Sequence, residues 1–200
     1  MYNAPGPTGF THKYLSDNDE TLVQETRDMV NAHPIHVDEK DVLELLQIKR
    51  RFLKEFPWGQ PTVEVIGQHR MIANFFDTEG VFLYDEWKKH YDAGFTTIIT
   101  NVLDLTSELR DLDKKIFSYV GRHINGNFYF TKGSTKNRVS FDLHNHEHHV
   151  IVKPIYGKSS WICGGRDFVC DKEAFIIDKE EFHCVYKCTE PKLSLTLSLS

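Results

Sequence analysis

The stretch His144-Asn145-His146-Glu147-His148-His149-Val150-Ile151-Val152 sets four of the chain's 11 histidines directly before an apolar run. Taken alone, such a cluster reads more safely as a solvated polar tract. Its flank decides the matter, because a segment feeding into Val150, Ile151 and Val152 is expected to open a buried strand. Side chains on a strand alternate between its two faces. That parity places His144, His146 and His148 on one face and Asn145, Glu147 and His149 on the other. Neighbouring same-face imidazoles lie close enough to share one divalent ion, with a third ligand supplied by another strand. His183 is the candidate: 174–177 reads as a strand, 178–181 as a turn, and His183 opens the next strand. The same parity groups His183 with Val185 and Lys187 and turns Cys184, Tyr186 and Cys188 away.

The surrounding third of the chain has the same character. Segments 127–130, 139–156, 159–163, 166–170, 174–177 and 182–199 read as short strands separated by Gly, Asn, Lys and Asp turns, which favours a sandwich or barrel. Cys163-Gly164-Gly165-Arg166 reads as a two-residue hairpin, setting Cys163 opposite Arg166, Trp161 opposite Phe168 and Ser159 opposite Cys170. Trp161 and Phe168 are then a cross-strand core pair.

Upstream the period changes. Residues 1–17 read as an arm broken by Pro5, Gly6, Pro7 and Gly9, and 18–120 as a helix-rich part with short strands. Its expected helices are 19–32, 38–56, 84–91 and 106–120, and its expected strands 62–66, 71–76 and 95–102. The part from 121 to 200 is the β core. The basic run Lys49-Arg50-Arg51 reads as a solvated helix face, and Trp58 as either a plug or a binding residue.

With 200 residues, 40% hydrophobic, 26% charged and a net charge of −5, the chain suits one globular core and offers no cationic field for nucleic acid. No apolar stretch is long enough to span a bilayer and no signal peptide is visible, so a cytoplasmic location is expected. Cys163, Cys170, Cys184 and Cys188 are accordingly read as reduced, buried thiols. A homo-oligomer is compatible with this composition.

The spacing His144-x-His146 followed after ten residues by Gly157, and the turn-then-histidine of 173–183, resemble the two cupin motifs. Residues 80–199 more closely resemble the JmjC-type 2-oxoglutarate oxygenases, especially the ribosomal-oxygenase branch. The stretches that carry this are Tyr91-Asp92-Ala93-Gly94-Phe95-Thr96-Thr97-Ile98-Ile99, Asn127-Phe128-Tyr129-Phe130, the histidine segment, Gly157-Lys158-Ser159-Ser160-Trp161 and Leu193-Ser194-Leu195-Thr196. The resemblance implies an α+β, mainly β fold: a double-stranded β-helix (cupin or jelly-roll) barrel with the N-terminal helices packed on it. It also implies Fe(II), or Zn, Ni or Mn in a purified sample, held by His144, His146 and His183, with 2-oxoglutarate as co-substrate and a small molecule or protein side chain as substrate.

Two departures bear on the chemistry. The oxygenase pattern has aspartate where this chain has His146, and a carboxylate-binding lysine where it has Ser159. Lys187 is the expected replacement for that lysine, with Ser159, Asn127 and Tyr129 adding hydrogen bonds and His148 standing behind the ligands. The alternatives are a three-histidine cupin metalloenzyme that does not use 2-oxoglutarate and a non-catalytic cupin that binds a metal or small ligand.

Overall fold

The computed structural model describes residues 20–48, 52–55, 61–67, 70–72, 75–134 and 141–199. The arm, the Lys49-Arg50-Arg51 run and Trp58 lie outside the described residues. In chain order the elements are α1 (Glu20–Ala32), α2 (Glu39–Leu46), β1 (Val63–Gly67), β2 (Arg70–Ile72), α3 (Tyr84–Asp92), β3 (Thr96–Thr100), α4 (Ser107–Val120), β4 (Asn125–Thr131), β5 (His149–Tyr156), β6 (Ser159–Cys163), β7 (Arg166–Cys170), β8 (Phe175–Ile177), β9 (His183–Lys187) and β10 (Lys192–Leu199). They form a seven-stranded sheet in the order β2-β1-β3-β4-β10-β5-β8 and a three-stranded sheet in the order β7-β6-β9. Each of these pairings is antiparallel.

Strand β10 shows why two layers of packing arise. Leu193, Leu195, Leu197 and Leu199 point to one face and join the helices in the larger core, with Val30, Leu112, Ile116 and Trp87. Lys192, Ser194 and Thr196 point to the other face, where Val150, Val152 and Ile177 meet Trp161, Cys163 and Val185 of the small sheet. The two sheets therefore face one another, and the helices cover the outside of the larger one. Helix α3 is held there by Tyr91, whose ring stacks on Phe130 at 4.6 Å, and by Trp87, whose indole N–H donates to Thr97 Oγ1 at 2.9 Å.

The helix expected over 38–56 ends instead at Leu46. An Asp38–Asp41 capping box starts it, and beyond it the backbone of Leu53 is tied to Thr62, whose amide donates to the Leu53 carbonyl at 2.9 Å. A backbone engaged with a strand start is unavailable to a helical ladder. The strand expected over 139–156 is shorter at its start: β5 begins at His149, and 141–148 is irregular apart from one bridge at His144.

The hairpin register stands as read, Cys163 opposite Arg166, Trp161 opposite Phe168 and Ser159 opposite Cys170. Gly164 and Gly165 both take positive φ, 55° and 75°, as a two-residue primed turn requires.

Gly157, at φ 70°, closes the other critical approach. A Cβ there would lie 2.1 Å from the Pro191 carbonyl oxygen and 2.8 Å from Lys192 Cα. A Gly157→Ala substitution is expected to cost about 1–3 kcal/mol from backbone strain, with the clash in addition. A fall in the denaturant midpoint at unchanged slope is the readout.

Candidate metal centre

His144 and His183 face each other as a single antiparallel bridge. The His144 amide donates to the His183 carbonyl at 3.1 Å, and the His183 amide donates back at 2.8 Å. A reciprocal pair of this kind holds two side chains side by side on one face. Their ring centroids are 4.3 Å apart, and the His146 ring stands 5.0 Å from each. One ring nitrogen from each of the three falls within 4.8 Å of the others. His183 is buried and the other two are half-buried.

The tautomers are fixed from behind. His144 Nδ1 lies 2.8 Å from the Asp142 carbonyl oxygen, and His183 Nδ1 lies 2.9 Å from that of Glu181. A carbonyl only accepts, so each Nδ1 carries a proton and each Nε2 is the nitrogen left to present a lone pair when the ring is neutral, the arrangement a metal-ligating imidazole needs. Burial, reinforced by His183, His144 and His148, pushes His146 down to about 4, and burial also lowers His183. Imidazoles converging on one point fit a divalent transition metal. His148 stacks on His146 with centroids 5.4 Å apart, beside the trio and outside it.

No protein-family model matches the chain, and no curated protein does. Solved structures similar to it include a cupin 2 domain-containing protein from Halorhodospira halophila, with 15% identity and TM-score 0.33 over 38% of this chain and 51% of that one. Another is a cupin superfamily protein from Desulfitobacterium hafniense, with 4% identity and TM-score 0.33 over 38% and 65%. These two are cupins by name. A third is salicylate 1,2-dioxygenase from Pseudoaminobacter salicylatoxidans, with 10% identity and TM-score 0.32 over 38% and 19%. This chain thus covers 65% or less of each of those proteins.

The trio borders a cavity between the sheets, partly open to solvent, that Tyr129, Ser194, Thr196 and Lys192 also line. Tyr129 lies in register with Ser194, and burial, then the Glu64 carboxylate, pushes its phenol up to about 12. Asn127 pairs with Thr196 two residues along β4, and its Oδ1 is buried without a hydrogen-bond partner among the described residues.

Lys187 stands elsewhere. Trp161 pairs with Val185 but Ser160 pairs with Lys187, so β9 sets an extra residue, Tyr186, against β6. A bulge of this kind breaks the two-residue alternation. Lys187 is consequently exposed, while Cys188 turns inward to the core between the sheets. Cys184 also borders the cavity, a position that strict alternation from His183 did not anticipate.

The cation inside the cavity is Lys192, at 4% exposure. Its Nζ donates to Ser159 Oγ at 3.2 Å and lies 5.6 Å from the Trp161 ring centroid. Ser159 Oγ also accepts from Trp161 Nε1 at 2.9 Å. Both Ser159 lone pairs are taken, so its hydroxyl hydrogen is what it can still offer. Lys192 was missed in the sequence, although Lys192-Leu193-Ser194-Leu195-Thr196-Leu197-Ser198-Leu199 carries the signal. Its strict alternation assigns the lysine to the polar face, opposite the leucines. Among the described residues no helix is long and apolar enough to cross a membrane.

Proposed function

We propose that this chain is an Fe(II)-dependent oxygenase on a double-stranded β-helix of JmjC type, using 2-oxoglutarate to hydroxylate a small molecule or protein side chain. The observation that carries this reading is the presence in one cavity of three convergent imidazoles and a buried lysine. His144, His146 and His183 would hold the metal. Bound there, Fe(II) supplies the activation of dioxygen on which such hydroxylation depends.

The chain's own residues account for the two departures from the oxygenase pattern. Three neutral ligands leave the ion its full dipositive charge, which favours an anionic co-ligand in place of the absent aspartate. The lysine absent at position 159 has a counterpart in Lys192, hydrogen-bonded to Ser159 from β10 of the facing sheet. Lys192 and the Ser159 hydroxyl would take the far carboxylate of 2-oxoglutarate, and the Tyr129 phenol, kept protonated by burial, would donate to it. Val150, Val152 and Val185 wall the cavity and exclude water from that contact. The carboxylate-free ligand set favours a second reading, a three-histidine cupin whose substrate meets the metal directly.

Anaerobic reconstitution with Fe(II), addition of 2-oxoglutarate and then of oxygen tests the proposal. A visible metal-to-ligand charge-transfer band and subsequent succinate are expected. Stoichiometric iron with neither band nor succinate would sink the 2-oxoglutarate reading in favour of the second.

A further inference from the structure

The turn between β8 and β9 touches two of the three histidines directly and the third through His183. Glu181 offers its carbonyl to His183 Nδ1 at 2.9 Å, and the Glu180 amide donates to the His146 carbonyl at 2.7 Å. His183 then holds His144 through their reciprocal backbone pair. Asn145 Nδ2 adds a longer bond, 3.4 Å, to the Glu180 carbonyl. The placement of the trio therefore depends on how firmly this turn is fixed.

The Glu181 side chain does the fixing. Its Oε2 accepts the Asp178 amide at 3.0 Å, closing the turn on itself. Its Oε1 lies 3.3 Å from Arg166 Nη2, and the Cys163 thiol interacts with the same carboxylate. Cys163 is the register partner of His183, and Cys163 and Arg166 flank the β6–β7 turn. One carboxylate thus fastens the ligand-bearing turn to the hairpin beside it. Burial acts to raise the Glu181 carboxyl, but the Asp178 amide, Cys163 and Arg166 outweigh it and hold the group below its usual range.

Gly164 makes room for this contact. A Cβ at Gly164 would lie 1.9 Å from Glu181 Oε1, and the Gly164 amide donates to the Phe182 carbonyl at 3.0 Å. Gly164 is needed twice, for the turn and for the seat of the carboxylate. Glu181 is outside the trio whose ring nitrogens converge.

We infer that Glu181 is the positioning residue of the metal centre: its carbonyl orients His183, and its carboxylate, seated against Gly164, locks the turn that sets the three imidazoles in place. This rests on the reading of the trio as metal ligands. The backbone half of the contact survives any side-chain substitution, so a variant at Glu181 isolates the carboxylate's share.

Titration of the metal-free protein with Co(II), monitored by its visible spectrum, tests this in wild type, Glu181→Ala, Glu181→Gln and Gly164→Ala. Glu181→Ala is expected to weaken Co(II) about 10–100-fold, the usual effect of losing an outer partner of a metal site. Glu181→Gln, which keeps an acceptor for the Asp178 amide, should fall between it and wild type. Gly164→Ala should weaken Co(II) by expelling the carboxylate, and combining it with Glu181→Ala should add little to either alone, because both remove one contact. Thermal unfolding of the metal-free variants gives the separate structural effect. Co(II) affinity within about twofold of wild type in Glu181→Ala, whatever its unfolding temperature, overturns the inference. If that variant does not fold, unchanged affinity in both Glu181→Gln and Gly164→Ala does the same. Absence of Co(II) binding in wild type would overturn the metal reading itself.

Discussion

Replacing His183 with alanine is expected to abolish stoichiometric Fe(II) uptake and to weaken metal binding more than 100-fold. That exceeds the roughly 10–100-fold cost of losing an outer partner, because a ligand is removed outright. Among the three, His183 is the most deeply buried, its Nδ1 is committed to Glu181, and it faces His144 through two backbone hydrogen bonds. Those bonds do not involve the imidazole, so His183→Ala should still fold with His144 close to its present place. Two half-buried imidazoles would remain, without the third donor that closes the site. His146→Ala should lose metal comparably. His148→Ala should not, because its ring only stacks on His146. Iron per chain after anaerobic loading and desalting measures all three. Full occupancy in His146→Ala would refute the ligand assignment.

How much of this centre was legible depends on the range over which each feature is determined. The Cys163–Arg166 hairpin could be read to the residue because two glycines at positive φ determine the pairing locally. The association of His144 and His146 with His183 could be read from spacing, but strand alternation is only part of what creates it. His144 and His146 do not lie on a continuous strand. His144 forms one bridge to His183, and His146 is placed from the 178–183 turn through the Glu180 amide. Those contacts join segments more than thirty positions apart, and no local period encodes them.

The bulge at Tyr186 was likewise invisible, since a single extra residue leaves the β-type composition of 183–187 intact while reversing the facing of Lys187 and Cys188. Parity from His183 therefore assigned Lys187 to the interior and Cys188 to the exterior, opposite to their places. Parity within β10, which pairs regularly with β4 from Lys192 to Ser198, would have found the buried lysine. Alternation is dependable only inside one uninterrupted ladder.

Lys192→Met should change function and stability in opposite directions. The Lys192 Nζ sits in a cavity walled by Trp161 and valines, with Ser159 Oγ as its hydrogen-bond acceptor, and burial holds its amine below the ordinary lysine range. A buried amine with no carboxylate partner among the described residues is costly to charge. Methionine has similar length and no such cost, and Ser159 keeps the bond from Trp161 Nε1. The ligand-free variant should accordingly be more stable than wild type by about 1–4 kcal/mol, as when buried charges give way to apolar groups of similar volume.

The same amine sets the sign of the pH dependence. Unfolded Lys192 stays protonated up to about 10.5, whereas the native side chain releases its proton at a lower pH. Between those values the unfolded chain binds more protons, so wild-type stability gains on the variant as pH rises, and the gap between them narrows. Anion binding should move the other way: removing one partner of a buried ionic contact costs about 2 kcal/mol or more, so 2-oxoglutarate should bind Lys192→Met at least about 30-fold more weakly. Denaturant unfolding at several pH values and titration of the charge-transfer band measure the two effects on the same protein. Unaltered 2-oxoglutarate affinity would remove Lys192 from the site, and a stability gap that stays constant with pH would show that its burial is not what sets the cost.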